Sequence, residues 1–155
     1  MRAVMELADE RATVRLAARL AAEARAGDVI ALQGPLGSGK TTFARGFIRA
    51  SGTGREEVPS PTFTLVETYL VPGRPVIWHF DLYRLEAAEE IHELGVEDAF
   101  AEGVSLIEWP ERIAALLPRE RLDLTLRSGT APRRRIATLD ASPRWQAIIA
   151  GLGHG

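Results

Sequence analysis

The stretch Gly34-Pro35-Leu36-Gly37-Ser38-Gly39-Lys40-Thr41 has glycine at its first and sixth positions, then lysine and threonine. This is the pattern of a phosphate-binding loop, in which successive backbone N–H groups converge on the phosphates of a nucleotide. The glycines allow backbone dihedral angles and close approaches that a β-carbon would block. We expect Lys40 to reach the outer phosphates and the Thr41 hydroxyl to bind magnesium.

The residues on either side of the loop have the context that this motif requires. Residues 29–32 form a short, continuous apolar run, which is typical of a central parallel strand that is covered on both faces. Residues 41–50 read as a helix with Phe43, Phe47 and Ile48 on one side. The N-terminus of that helix adds free N–H groups and the positive end of its dipole to the phosphate site. The ligand that these features predict is a nucleoside triphosphate, ATP with Mg²⁺.

Lys40 is the sole lysine of the sequence, and every other basic position except the three histidines is arginine. We therefore expect the basic side chains on the solvated surfaces of this chain to be arginines. A lone lysine indicates a site that suits a compact ammonium group better than a planar guanidinium, and a cradle of backbone groups is such a site.

The composition limits the class of protein. The chain has 155 residues, of which 46% are hydrophobic and 26% charged, so we expect one globular domain over residues 1–155. The net charge of −2 argues against a nucleic-acid surface that covers the whole protein. The absence of cysteine excludes disulfides, thiolate metal sites and cysteine nucleophiles. Neither a signal peptide nor a run of membrane-spanning length is present, so we expect a cytoplasmic protein without a membrane partner.

The remaining segments alternate between strand and helix patterns. We predict a strand-like start, a helix that Asp9 caps and that Gly27 ends, and a hairpin whose strands comprise residues 64–66 with 69–70 and residues 76–80. Short helices at 87–94 and 96–101 precede a buried strand at 104–107 and a helix from Pro110. Strands at 122–126 and 136–139 and a helix at 143–152 complete the chain. The predicted fold is α/β, a P-loop NTPase-like mixed and mainly parallel sheet flanked by helices.

Two carboxylates follow predicted strands. Asp81 comes after residues 76–80, and Glu108 comes after residues 104–107. A magnesium nucleotide site commonly has a carboxylate at the end of a strand next to the phosphate loop. We therefore expect both side chains to face the loop and to serve in magnesium binding or in positioning the attacking water.

Three further blocks of sequence carry a family resemblance. They are Ser-Pro-Thr-Phe-Thr-Leu-Val at 60–66, His-Phe-Asp-Leu-Tyr-Arg-Leu at 79–85 and Ile-Glu-Trp-Pro-Glu at 107–111. In this order, and after the phosphate loop, they strongly resemble the bacterial TsaE family, also called YjeE. The resemblance covers most of the chain and is much more specific than the loop alone.

The resemblance implies a small ATPase that serves the synthesis of threonylcarbamoyladenosine next to the anticodon of tRNA. It implies TsaD, which carries the transfer chemistry, and TsaB as protein partners, with tRNA contacted indirectly through their complex. ATP hydrolysis is expected to reset that complex between turnovers and to be slow without it.

The resemblance also implies roles for individual residues. Thr41 and Glu108 are expected to hold magnesium, and Asp81 is the second carboxylate, assigned to magnesium or to the attacking water. The segment 60–64 resembles a switch loop. The remaining residues are expected to contact the nucleotide: Glu10, Leu36, Gly37, Ser38, Gly39, Lys40, Thr41 and Thr42.

Other polar and aromatic residues have plainer interpretations. His79 alternates with Asp81 on one strand, so both side chains are expected on the same face, but we favour a core histidine over a catalytic one. Trp109 is expected near the site, although a tryptophan after a strand is commonly part of the core. The run Arg133-Arg134-Arg135 fits contact with tRNA, a partner or the nucleotide, and a solvated loop is its default interpretation.

Two other classes of protein share the phosphate loop. A small-molecule kinase would use the same loop and carboxylate, but such enzymes usually have an arginine-rich lid, and the sequence shows no inserted segment for one. A GTPase would need a second lysine in its guanine-binding motif. The non-enzyme alternative is a binding module in which ATP orders the 60–64 loop for a partner and hydrolysis is incidental.

Overall fold

The computed structural model describes residues 1–54, 57–61 and 63–152. Within these residues seven strands form one sheet in the order β1-β7-β6-β2-β5-β4-β3. The strands are β1 (Arg2–Leu7), β2 (Val29–Gln33), β3 (Val66–Tyr69), β4 (Ile77–Asp81), β5 (Val104–Glu108), β6 (Leu122–Ser128) and β7 (Arg135–Ala141).

The centre and the edges of the sheet are built differently. The pairs β6–β2, β2–β5 and β5–β4 are parallel, and the outer pairs β1–β7, β7–β6 and β4–β3 are antiparallel. The central strands β2 and β5 are almost entirely buried, in agreement with their largely apolar sequences. The expected mixed, mainly parallel α/β fold is confirmed.

Helices cover both faces of the sheet. They are α1 (Glu10–Ala22), α2 (Lys40–Ala50), α3 (Val96–Glu102) and α4 (Pro143–Leu152), with 3₁₀ turns at Ala88–Leu94 and Pro110–Leu116. The larger apolar cluster joins α1, α2 and α4 to one face, and the smaller cluster joins α3 and the two 3₁₀ segments to the other. This arrangement explains why the central strands carry no alternating polar face. No helix in the described part of the chain is long and apolar enough to cross a bilayer.

Gly46 allows the helices α1 and α2 to lie against each other. A β-carbon at Gly46 would lie 3.3 Å from Cα of Val14 and 3.4 Å from Cβ of Ala17. Both distances are tighter than ordinary packing, so a larger residue would push α1 away from α2. Because α2 begins at Lys40 and α1 at Glu10, this contact also sets the distance between the two helix N-termini that border the site.

The predicted hairpin differs from the observed one at its first strand. Residues 64–66 and 69–70 were expected to be extended, whereas β3 comprises Val66–Tyr69. Leu65 has a φ of 67°, and its carbonyl accepts a hydrogen bond from the Asp81 N–H at 3.0 Å. Because Leu65 has a left-handed backbone conformation, the strand begins only at Val66 and does not include residue 64. No side-chain pattern signals such a backbone conformation.

Candidate nucleotide-binding site

One cavity lies at the carboxyl ends of the central parallel strands, where α/β sheets commonly bind ligands. The phosphate loop follows β2, Asp81 ends β4 and Glu108 ends β5, and the strand register pairs Glu108 with both Leu32 and Asp81. The volume of the cavity is about 930 Å³. All the residues predicted for the site line it, namely Glu10, Leu36, Gly37, Ser38, Gly39, Lys40, Thr41, Thr42, Asp81 and Glu108.

The glycines of the phosphate loop are required for two different reasons. Gly34 has a φ of 143°, and a β-carbon there would lie 2.6 Å from Oγ of Ser38. Gly37 and Gly39 have φ values of 76° and 105°, in the left-handed region that side chains rarely adopt. At Gly37 a β-carbon would meet no described protein atom within 4 Å, so within the protein it is the dihedral angle that requires glycine at this position.

Lys40 is folded back onto its own loop. Its side chain is buried, and Nζ donates hydrogen bonds to the carbonyl oxygens of Gly34 and, at 3.3 Å, of Pro35. The ammonium also lies 3.7 Å from the centre of the Trp109 ring, a cation–π contact. Burial lowers the pKa of Lys40 from its ordinary value of 10.5, against the opposing attraction of the Glu108, Glu111 and Asp81 carboxylates.

Glu108 is bonded at both of its carboxylate oxygens. Oε1 accepts a hydrogen bond from the Thr41 hydroxyl at 2.9 Å, and Oε2 lies 2.7 Å from Nε2 of His79. His79 is fully buried, and its Nδ1 has no hydrogen-bond partner in the described residues. His79 is therefore both a core histidine and a neighbour of a predicted site carboxylate, and its alternation with Asp81 was the one sequence signal of that second role.

Asp81 is buried beside Glu108 at the end of β4. Its side chain is part of the cavity lining, and Oδ1 accepts a hydrogen bond from the Tyr83 N–H at 3.2 Å. That bond holds the carboxylate at the turn that leaves the strand. Both His79 and Asp81 are buried on the side of β4 that faces Glu108 and the cavity, as their spacing predicted.

The oxygen groups of this cavity fit a magnesium ion that is bound together with phosphates. Mg²⁺ prefers oxygen ligands and usually keeps several waters and substrate phosphates, with only one or two protein ligands. The Thr41 hydroxyl and the Glu108 carboxylate already meet, and Asp81 stands on the adjacent strand. Among the described residues no group of three or more histidine, aspartate or glutamate side chains could hold a metal ion.

Glu10 reaches the cavity from the start of α1. Asp9 caps that helix by accepting a hydrogen bond from the Ala12 N–H at 2.9 Å, so Glu10 is fixed in its first turn. Its Oε1 accepts a hydrogen bond from the Thr42 hydroxyl at 3.4 Å. The helices α1 and α2 thus meet at their N-terminal ends through two of the residues predicted to contact the nucleotide.

Aromatic side chains cover the part of the cavity near Lys40. Trp109 follows Glu108 with a φ of 60°, and this left-handed conformation accompanies the placement of its ring over the lysine. The Tyr83 ring centre lies 5.0 Å from that of Trp109, and both residues line the cavity. Trp109 also packs against the smaller apolar cluster, so it belongs to the site and to the core edge at once. Tyr83 was not predicted as a site residue, although it lies within the 79–85 block.

The segment expected to act as a switch lies beside the same cavity. Thr62 lies outside the described residues, and the description of this segment is limited to the residues around it. Ser60 lines the cavity, and Phe63 is 83% exposed with its ring 4.8 Å from the guanidinium carbon of Arg84. Nε of Arg45 donates to the carbonyl oxygen of Val58 at 2.8 Å, which ties the start of this segment to α2.

The three consecutive arginines have different surroundings. Arg134 forms an exposed ion pair with Glu6 at 3.2 Å, as expected for a solvated loop. Arg133 and Arg135 instead line the cavity, and Arg135 contacts the phosphate loop itself. The default interpretation of the whole run as a solvated loop is therefore wrong for Arg135.

Comparisons with known proteins indicate the family of this chain. A family model described as threonylcarbamoyl adenosine biosynthesis protein TsaE matches residues 7–136. The tRNA threonylcarbamoyladenosine biosynthesis protein TsaE of Bacillus subtilis is 38% identical over 143 residues, which cover 92% of this chain and 88% of the relative. The protein of the same name from Rickettsia bellii is 40% identical over 121 residues, or 78% of this chain and 83% of the relative.

A solved structure has the same overall architecture. The crystal structure of Bacillus subtilis YdiB superposes with a TM-score of 0.77 and 28% sequence identity. The superposition covers 99% of this chain and 95% of the other. The likeness extends over the whole sheet and its helices and is not limited to the phosphate loop.

Proposed function

The chain belongs to the TsaE family, and on that basis we propose that it supports threonylcarbamoyladenosine synthesis in tRNA by binding and hydrolysing ATP with Mg²⁺. The observation that carries the proposal is the convergence of the phosphate loop with Asp81 and Glu108 in one cavity. The loop and the carboxylates are far apart in sequence, and a triphosphate with a magnesium ion needs both.

Different residues of the site bind the phosphates and the magnesium ion. The N–H groups of the loop and the N-terminus of α2 hold the phosphates, and Lys40 binds the outer ones. Thr41 and Glu108 hold the magnesium ion, and Asp81 binds either that ion or the attacking water. When bound, the ion neutralises charge on the phosphate oxygens and so favours transfer to water.

Lys40 changes partners when the nucleotide binds. Its ammonium is bonded to carbonyl oxygens of its own loop, which are neutral acceptors, and phosphate oxygens offer a full negative charge in their place. The same exchange relieves the unfavourable burial that lowers the pKa of Lys40. Nucleotide binding is thereby coupled to a rearrangement beneath Trp109.

The proposed partners are TsaD and TsaB, with tRNA reached through their complex, and this role implies a cytoplasmic location. The segment around Ser60 is the proposed switch, because it borders the cavity and is anchored to α2 by the Arg45 bond to Val58. We expect slow hydrolysis by the isolated protein, because contact of a partner with this segment is what positions the attacking water relative to the phosphates.

The proposal is tested by multiple-turnover modification of tRNA with TsaD and TsaB. The wild-type protein is omitted, added, or replaced by Glu108→Gln. We expect repeated rounds of modification only with the wild-type protein. Equal yields in the three reactions would contradict the role in threonylcarbamoyladenosine synthesis. ATP binding without any stimulation of turnover by the pair would instead favour a nucleotide-gated binding module.

A further inference from the structure

The first residue of β7, Arg135, brings its guanidinium group against the phosphate loop. Arg135 donates from Nε to the carbonyl oxygen of Ser38 at 3.2 Å and from Nη2 to that of Gly37 at 3.1 Å. Its Nη1 donates to the carbonyl oxygens of Pro132 and Arg134, both at 3.0 Å. Bonds on both sides therefore fix the side chain between the loop that precedes β7 and the phosphate loop.

No carboxylate among the described residues forms an ion pair with Arg135. All four acceptors of its hydrogen bonds are backbone carbonyls. Arg134, its neighbour, is paired with Glu6 on the surface. A fixed cation that lines the cavity and lacks an acidic partner raises the local positive potential, which favours an anionic ligand.

The two bonds to the phosphate loop also constrain its peptide groups. In a trans peptide the C=O and the following N–H point in opposite directions. Holding the Ser38 carbonyl toward Arg135 therefore directs the Gly39 N–H away from that side chain. The Gly37 carbonyl is held in the same way, and its peptide partner, the Ser38 N–H, donates to the Pro35 carbonyl at 3.2 Å.

We propose that Arg135 is a positioning residue of the nucleotide site, which holds the carbonyls of Gly37 and Ser38 so that these peptides keep one orientation and the Gly39 N–H is presented to a nucleoside diphosphate or triphosphate. This inference rests on the proposed nucleotide binding. Arginine suits the task because its planar fork donates in several fixed directions, whereas a lysine ammonium is a single point on a flexible stem.

The test compares ADP affinity, measured by titration calorimetry, in the wild-type protein and in Arg135→Gln, Arg135→Lys and Arg134→Gln. We expect both Arg135 variants to bind ADP roughly tenfold more weakly, because charge-assisted hydrogen bonds are lost. Arg134→Gln removes a charge from the adjacent position, and its affinity should equal that of the wild type.

A second measurement separates positioning from general stability. In the nucleotide-free protein we expect the backbone amide NMR signals of Ser38 and Gly39 to shift in both Arg135 variants and to stay unchanged in Arg134→Gln. Wild-type ADP affinity in Arg135→Gln would overturn this inference alone. Full recovery in Arg135→Lys would show that only the charge acts and would also overturn it. Failure of the wild-type protein to bind ADP would contradict the proposed function itself.

Discussion

Nε2 of His79 lies 2.7 Å from Oε2 of Glu108, inside the protein and on adjacent parallel strands. The other carboxylate oxygen of Glu108 accepts the Thr41 hydroxyl, so the histidine and the threonine hold the carboxylate from two sides. A carboxylate that is fixed in this way loses little freedom when it becomes a metal ligand. The orientation of the Glu108 side chain is thus held in part by His79 on the neighbouring strand, β4.

This relationship predicts the effect of substituting His79. His79→Leu should weaken the magnesium-dependent part of ADP binding about tenfold, because a hydrogen bond to a charged group is lost. His79→Gln, whose amide nitrogen can take the place of Nε2, should retain most of it. The magnesium-dependent part of the affinity is the difference between ADP titrations with and without magnesium. If the binding in the absence of magnesium falls equally, His79 acts only through the stability of the core.

Removing Lys40 should abolish tight nucleotide binding. Lys40→Ala takes away the one ammonium placed at the phosphate loop, and Lys40→Arg should not restore affinity fully, since the guanidinium is larger and planar. Calorimetric titration with ATP measures both variants. Arg134→Gln serves as a control for the loss of one positive charge outside the cavity. Near wild-type affinity in Lys40→Ala would refute the phosphate-loop assignment.

Neutralising either carboxylate should remove most magnesium-dependent hydrolysis. Glu108→Gln and Asp81→Asn keep the shape of the side chain and lose its charge, so the ligand for the ion or for the water is weakened. The melting temperatures of both variants should change little, whereas their rates of ATP hydrolysis should fall strongly. A variant that hydrolyses ATP at the wild-type rate would show that its carboxylate only ends a strand.

The lowered pKa of Lys40 predicts a dependence on alkaline pH. Burial favours the neutral amine, and bound phosphates favour the ammonium, so binding raises the pKa again. In the window between the lowered value and 10.5, binding should take up a proton, and affinity should fall as the pH rises. Calorimetry in buffers of different ionisation enthalpy measures the uptake. Lys40→Arg should show none, because arginine remains charged throughout.

Gly34→Ala should destabilise the protein more than Gly52→Ala. Both glycines have positive φ, so each substitution is strained, by about 1–2 kcal/mol at the left-handed Gly52. Only at Gly34 would the new methyl group also meet Ser38 Oγ at 2.6 Å, whereas Gly52 has open space. Thermal melts give the comparison, and ADP titration should show a loss for Gly34→Ala alone. Equal losses of stability would mean that the loop moves to accept the methyl group.

The elements of this fold and most of its site could be predicted because their signals are local. The phosphate loop, the apolar strand before it and the helix after it occupy neighbouring residues, and Asp81 and Glu108 each follow a recognisable strand. The predicted start of β3 was wrong by two residues, because the left-handed conformation of Leu65 interrupts the extended backbone. Side-chain patterning does not report backbone dihedral angles.

The sequence by itself determined the α/β class, and it predicted the phosphate loop and the two carboxylates that lie beside it in the cavity. Only the tertiary structure decided which distant groups meet, such as His79 with Glu108, 29 residues apart, and Arg135 with Gly37, 98 residues apart. The physical reason is that alternation along a strand fixes the face of a side chain, whereas its partner depends on the order and register of the strands. Those are set by the packing of the whole sheet between its two layers of helices.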